Sequence, residues 1–288
     1  MRTALCAAIL LAVAFPLYAQ EEPKQITFGA KKDVDPAVSP DGKHLVYSSD
    51  RTGSFNIFMI TFGTAGDLQL TQGKKDDRHP AWSPDSKKIV FTSKRTGNGD
   101  LYEMACDGSA GFLQLTDRDE IETTPCYSPK ESGLAFGSAP KKAVQFSTKM
   151  SVAYAKDKGS ANNCTVLTDG AEPRISPDGK KIVFVSHRTK NKDIWLMNID
   201  GGQQMQLTSD PKDDENPAFS PDGKKIAFVS NRTGNCDLWV MEADGSNPRQ
   251  LTTDPAQETQ PYWSPENYLY YVREAKQGQS NIFRIKAP

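Results

Sequence analysis

The chain has 288 residues, with 35 Lys and Arg set against 36 Asp and Glu, and a hydrophobic fraction of 37%. That length holds one large domain or two ordinary ones. A formal net charge of −1, with both signs scattered along the chain, gives no electrostatic footprint for nucleic acid or a membrane surface.

The first element in chain order is an export leader. Arg2 precedes the apolar run Ala4–Phe15, and Ala19 offers a small residue where cleavage would fall. The run is too short to cross a bilayer and fits a secretory signal peptide over residues 1–19. The expected mature chain starts near Gln20, is periplasmic or secreted, and does not span a membrane. Cys6 leaves with the leader, while Cys106, Cys126, Cys164 and Cys236 stay. Four cysteines permit three pairings, and their irregular spacing selects none and gives no metal-ligand pattern.

A short strand, "KQITF" (Lys24–Phe28), comes next and stands apart from the repeating units. From there a Ser-Pro pair recurs at Ser39, Ser83, Ser128, Ser176, Ser220 and Ser264, at gaps of 44, 45, 48, 44 and 44 residues. An apolar residue followed by Thr recurs as well, at Thr27, Thr71, Thr116, Thr168, Thr208 and Thr252. Two independent markers give six units, and a period in this range means a solenoid or a propeller.

Each unit reads as four strands. In the fifth these are "NPAFSP", "KKIAFVS", "CDLWVMEA" and "PRQLT", rich in β-branched and aromatic residues. "SPDGK", "RTGN" and "ADGSN" supply the turns between them. No stretch carries an apolar stripe of helical period. A four-stranded sheet with two apolar faces must pack against neighbours, and radial repetition provides them. The sixth unit ends after its third strand, so Lys24–Phe28 is expected to supply its outer strand. The fold class is therefore an all-β, six-bladed β-propeller over residues 20–288, closed by its N-terminal segment.

The set seen in "SPDGKKIAFVS…RTG…DLWVM" resembles the WD40-like Pro-Asp repeat of TolB-type propellers, from Lys24 to about Lys286. TolB is periplasmic and binds protein partners of the Tol–Pal envelope system through its channel face, so the resemblance implies a protein or peptide partner. TolB also carries a separate N-terminal domain. Here about five residues separate the expected leader from the first strand, and that domain is expected to be missing.

Two loop positions can be followed around the ring. Three residues before the Pro stand Asp33, Asp77, Glu122, Gly170, Asp214 and Glu258. Carboxylates near Asp33, Asp77, Asp214 and Glu258 could take Ca2+. Equally, they could accept hydrogen bonds from the "RTG" arginines Arg51, Arg95, Arg188 and Arg232, and their recurrence with the blade favours that scaffold role. Immediately before the Pro stand Asp35, His79, Thr124, Glu172, Asn216 and Gln260, all polar and all different. A scaffold position repeats, whereas a recognition position varies. The strand-opening Asn56, Asp100, Asp193 and Asp237, and Trp82, Trp195, Trp239 and Trp263, recur with the blade and read as scaffold and core.

The repeat breaks at blades 3 and 4. The path from marker Thr to Pro takes nine steps in five units but five at "TDGAEP" (Thr168–Pro173). Blade 3 lacks "RTG" and carries about seven extra residues within Ala139–Met150. Arg174 stands where Ala37, Ala81 and Ala218 stand elsewhere. Loops that break a repeat are where binding is often built.

These features give an exported binding module, without catalysis or a required cofactor. Its channel mouth is formed by Asp35, His79, Thr124, Glu172, Arg174, Asn216 and Gln260. The alternative is a propeller hydrolase or lyase using a metal or acid–base site drawn from His79, Asp35 and Glu172. His44 and His187 lie elsewhere in the repeat, no G-x-S-x-G elbow is present, and no ligand cluster shows in the spacing. A scaffold held through its outer blade edges is a third reading.

Overall fold

The protein is described by a computed structural model covering residues 21–29, 31–109, 111–130, 132–141, 150–275 and 278–288. The expected leader lies outside the described residues, as does most of the insertion after Ala139.

Six four-stranded antiparallel sheets surround a central channel. Their inner strands are Asp33–Val38, Asp77–Trp82, Glu120–Tyr127, Ala171–Ile175, Asp214–Phe219 and Glu258–Trp263. Each "SPDG" turn is locked by its own side chains. In blade 1, Ser39 Oγ donates to Asp41 Oδ1 (2.6 Å) and accepts from the His44 N–H (2.9 Å), with Gly42 at φ +70°. The repeated Ser, Asp and Gly are thus turn chemistry.

The core lies between blades. Ile57, Met59 and Leu70 of blade 1 pack on Trp82, Ile89 and Phe91 of blade 2, and equivalent clusters fill the other five junctions. Each sheet buries both faces against neighbours, as the repeat required. The ring closes within the sheet of the last blade. Lys24 and Gln25 pair with Arg284 and Phe283 in the sheet of the last blade. The Ile26 N–H donates to the Ile282 carbonyl (2.8 Å), and the Ile282 N–H to Thr27 Oγ1 (3.0 Å). The N-terminal segment closes the ring as expected, although the ladder is shorter than Lys24–Phe28 and Phe28 is exposed.

The marker Thr has a specific job. Thr71, Thr116, Thr208, Thr252 and Thr27 each accept, through Oγ1, the N–H of a residue on the third strand of their blade. Thr168 does not share it. Its strand (Thr165–Asp169) runs into the next inner strand through Gly170 alone, and Thr168 instead bonds Arg188 and Gln204. A Cβ at Gly170 would sit 2.7 Å from the Val185 carbonyl, so the short connection demands glycine. Blade 3 also holds a 3₁₀ turn, Lys158–Asn163, whose Ala161 is buried beside Phe136 and Leu134. Nothing in the sequence pattern signals it. Cys106, Cys126, Cys164 and Cys236 are all free thiols.

Candidate functional site

Every inner strand bulges at the residue before its proline. Sheet register slips between Val34 and Ala37, Arg78 and Ala81, Thr123 and Cys126, Ala171 and Arg174, Glu215 and Ala218, and Thr259 and Tyr262. The six bulged residues all adopt a left-handed backbone: Asp35 (φ 56°), His79 (54°), Thr124 (49°), Glu172 (55°), Asn216 (53°) and Gln260 (55°). This conformation costs a non-glycine residue about 1 kcal/mol or more, and a β-branched Thr is especially unusual there. All six line one cavity of about 370 Å³ in the channel, together with Arg174, Cys126 and Tyr262. The structure thus brings together all seven residues expected at the mouth.

The bulge frees a backbone N–H from the sheet and turns it toward the preceding blade. In four blades a side chain meets it. The Asn216 N–H donates to Glu172 Oε2 (2.8 Å) and the Gln260 N–H to Asn216 Oδ1 (3.2 Å). The Asp35 N–H donates to Gln260 Oε1 (2.8 Å) and the His79 N–H to Asp35 Oδ2 (3.2 Å). This inter-blade relay was illegible in the sequence. It does give a reason why the ring is rich in Asp, Glu, Asn and Gln, whose carbonyl-type oxygens reach across. The relay stops at blade 3: His79 Nδ1 meets the Thr123 hydroxyl (3.0 Å) instead of the Thr124 N–H, and the Thr124 side chain meets no amide of blade 4 among the described residues.

A family model of the TolB beta propeller domain matches residues 19–172 and 161–288. The chain belongs to this family. No curated protein sequence matches it. Among solved structures, a protein assigned as TolB from Agrobacterium tumefaciens is similar at 20% identity and TM-score 0.69, covering 90% of this chain and 92% of that one. TolB from Acinetobacter baumannii is similar at 19% and 0.66, over 86% of this chain and 64% of that longer chain. Oligogalacturonate lyase from Vibrio parahaemolyticus also shares the fold, at 14% identity and TM-score 0.64, over 92% and 93% of the two chains. Likeness at these identities speaks for the fold alone.

Electrostatics divide the mouth of this TolB-type propeller. Burial acts to raise the Asp35 pKa, but the nearby His79 and Arg78 outweigh it and hold the carboxylate well below the usual range. Arg78 Nε lies 3.0 Å from Asp35 Oδ2 and its charge is permanent, so it is the dependable partner. Burial, assisted by Arg78 and Arg174, pushes the His79 imidazole down to about 4, leaving it neutral at pH 7. Burial and then Glu215 raise the Glu172 carboxyl. Arg174 has no carboxylate partner among the described residues. Its one hydrogen bond among them goes to the Pro173 carbonyl (3.2 Å).

The second set of acids stands apart from the channel. Arg232 Nη2 binds both oxygens of Asp214 at 2.9 Å while its guanidinium lies over Trp239 (4.6 Å). Arg95 Nη2 likewise binds both oxygens of Asp77 (3.2 and 3.1 Å), whereas Arg51 reaches Asp33 through a single bond (3.2 Å) and also pairs with Asp67 (2.5 Å). Arg273 serves Glu258 in blade 6 and Arg118 lies 3.7 Å from Glu122 in blade 3, two partners that a search for "RTG" misses. Gly170 leaves Arg188 with Gln204 and Thr168 instead. Asp33, Asp77, Asp214 and Glu258 are therefore each turned to their own blade's guanidinium and not to one another. Among the described residues, no three His, Cys, Asp or Glu side chains group as a metal site. Asp100, Asp193 and Asp237 face the turn hydroxyls of Thr96, Thr189 and Thr233. Trp82 donates to the Ala37 carbonyl across a blade junction (3.0 Å) and Trp263 caps Asn267.

Proposed function

We propose that the protein is an exported TolB-like propeller that holds a protein or peptide in its channel mouth without catalysing a reaction on it. The observation that carries this reading is the cavity itself. Side chains that differ from blade to blade open on one concave space, walled by Pro36, Pro80, Pro125, Pro217 and Pro261 and by Trp82 and Tyr262. Apolar walls with a few convergent polar groups are the usual composition of a binding site. The leader favours a periplasmic or secreted location. Among the described residues no helix is long and apolar enough to cross a membrane.

The lyase or hydrolase reading draws on one contact, His79 Nε2 at 3.7 Å from Asp35 Oδ1, and on the oligogalacturonate lyases that share the fold. Metal analysis of the purified protein separates the two. A stoichiometric transition metal favours the enzyme, whereas none, or Ca2+ alone, favours the binder. Calcium at Asp33, Asp77, Asp214 or Glu258 would have to displace a paired guanidinium.

The direct test is crosslinked capture from an envelope extract. Wild type is compared with a His79→Ala, Glu172→Ala, Arg174→Ala variant of unchanged melting temperature. A partner lost from the variant supports the channel mouth; one retained by both moves the interface to the blade edges.

A further inference from the structure

Four of the six bulge amides are occupied by a side chain of the preceding blade, and two are not. The sheet register passes over Thr124 and Glu172, and no side chain among the described residues accepts from either N–H, as one does in the other four blades. Sixfold placement sets the Glu172 N–H toward Thr124, as it sets the Gln260 N–H toward Asn216. The Thr124 hydroxyl ends one bond short of an Asn or Asp oxygen, and its Oγ1 is buried with no partner. Two residues beyond Glu172, Arg174 reaches the same cavity with no carboxylate beside it.

The other charges at the mouth are already engaged. Asp35 is held by Arg78, Glu172 accepts from Asn216, and Lys192 is paired with Glu215. A guanidinium and two amide donors that no carboxylate among the described residues meets thus share one cavity, and an oxygen acceptor carrying negative charge is the group that suits them. A planar two-oxygen group suits a guanidinium geometrically. It also reproduces the Asp, Asn, Glu and Gln oxygens that close the relay in the other blades.

We propose that the gap between blades 3 and 4 is a seat for one carboxylate, which accepts from the Glu172 N–H and pairs with Arg174. The carboxylate belongs to an acidic residue or the C-terminus of the bound peptide, and in that respect the proposal rests on the binding reading above. The ligand supplies the side chain that blade 3 lacks.

Amide NMR on the mature chain tests this, with sodium acetate and glutarate as probes and sodium chloride and phosphate at matched ionic strength as controls. The expected result is a saturable shift of the Glu172 amide with the carboxylates. The Asn216 and Gln260 amides, already bonded, move less. Arg174→Gln should weaken the response about tenfold or more, the scale of a lost charge-assisted bond. Thr124→Asn should also weaken it, because Asn tolerates the left-handed backbone and supplies the acceptor from within, and its melting temperature should rise. A stationary Glu172 amide, an equal response in Arg174→Gln, or a response to phosphate alone would each overturn the seat. The titration needs no protein partner, so it can fail while the capture experiment succeeds. A partner captured equally by wild type and Arg174→Gln would sink the carboxylate seat and leave channel-mouth binding standing.

Discussion

In blade 5 every polar group at the inner end of the sheet has a fixed partner. Arg232 grips Asp214 through two 2.9 Å bonds, and Asn216 both donates to Glu172 and accepts from Gln260. Blade 3 carries the same four strands with the partners thinned out. Glu122 lies 3.7 Å from Arg118, which makes a closer bond to Glu120 (2.6 Å), and Thr124 passes nothing to blade 4. A closed blade commits its polar groups to neighbours; an open one has them to offer to a ligand. On the carboxylate-seat proposal, function would show in the repeat as a local shortage of internal bonds.

The largest effect that should sharpen this contrast is Asp214→Ala. Removing it leaves the largely buried Arg232 guanidinium without its carboxylate, at a cost of about 3 kcal/mol. Glu122→Ala in blade 3 should cost about 1 kcal/mol, since Arg118 keeps Glu120. Urea unfolding of the two variants measures the difference, and equal losses would erase the distinction between the blades. Deleting residues 20–28 removes the seam strand and the packing of Ile26, and should also cost about 3 kcal/mol. An unchanged melting temperature would mean that the ring closes without it.

Glu122 itself should make blade 3 pH-sensitive. Burial, with Asp100 and Glu120 nearby, pushes its pKa up to about 7. The folded state therefore binds a proton that the unfolded chain releases near its ordinary value. That stabilisation is complete below the unfolded pKa and is lost as pH rises through about 7, amounting to at most about 3 kcal/mol. Glu122→Gln should flatten the melting-temperature profile between about pH 5 and 8. A profile that falls as steeply in the variant places the titrating group elsewhere. At the small end, Asn216→Ala should cost about 1 kcal/mol by breaking the relay, and Thr124→Ala almost nothing. His79 should titrate by NMR near about 4, and a midpoint in the ordinary histidine range would mean that the channel is wetter than its walls suggest.

The fold was readable because Ser39, Asp41 and Gly42 and their counterparts in the other blades do the same local work, and local work leaves a periodic mark. The ring of Asp35, His79, Thr124, Glu172, Asn216 and Gln260 was readable for the opposite reason, as variation at a fixed place. Its bonding was not. An amide of one blade meets an oxygen 44 residues back, and nothing in either residue announces the bulge that aims them. The pairings of Arg273 and Arg118 are not legible in the repeat because these residues reach their acids from non-repeating positions. Thr168 matched the marker by letter but not by role, since its strand continues into the next blade.

A ring has one seam, and here the seam is the two-residue pairing of Lys24 and Gln25 with Arg284 and Phe283. It lies in blade 6, diametrically across the disc from blade 3. The polar circle around the channel is thus broken on the side opposite to the break in the covalent chain. A ligand pulling at the proposed blade 3 seat would load two unbroken arcs of blades before it loaded the seam. In mechanical terms the grip and the clasp of this bracelet are as far apart as six blades allow.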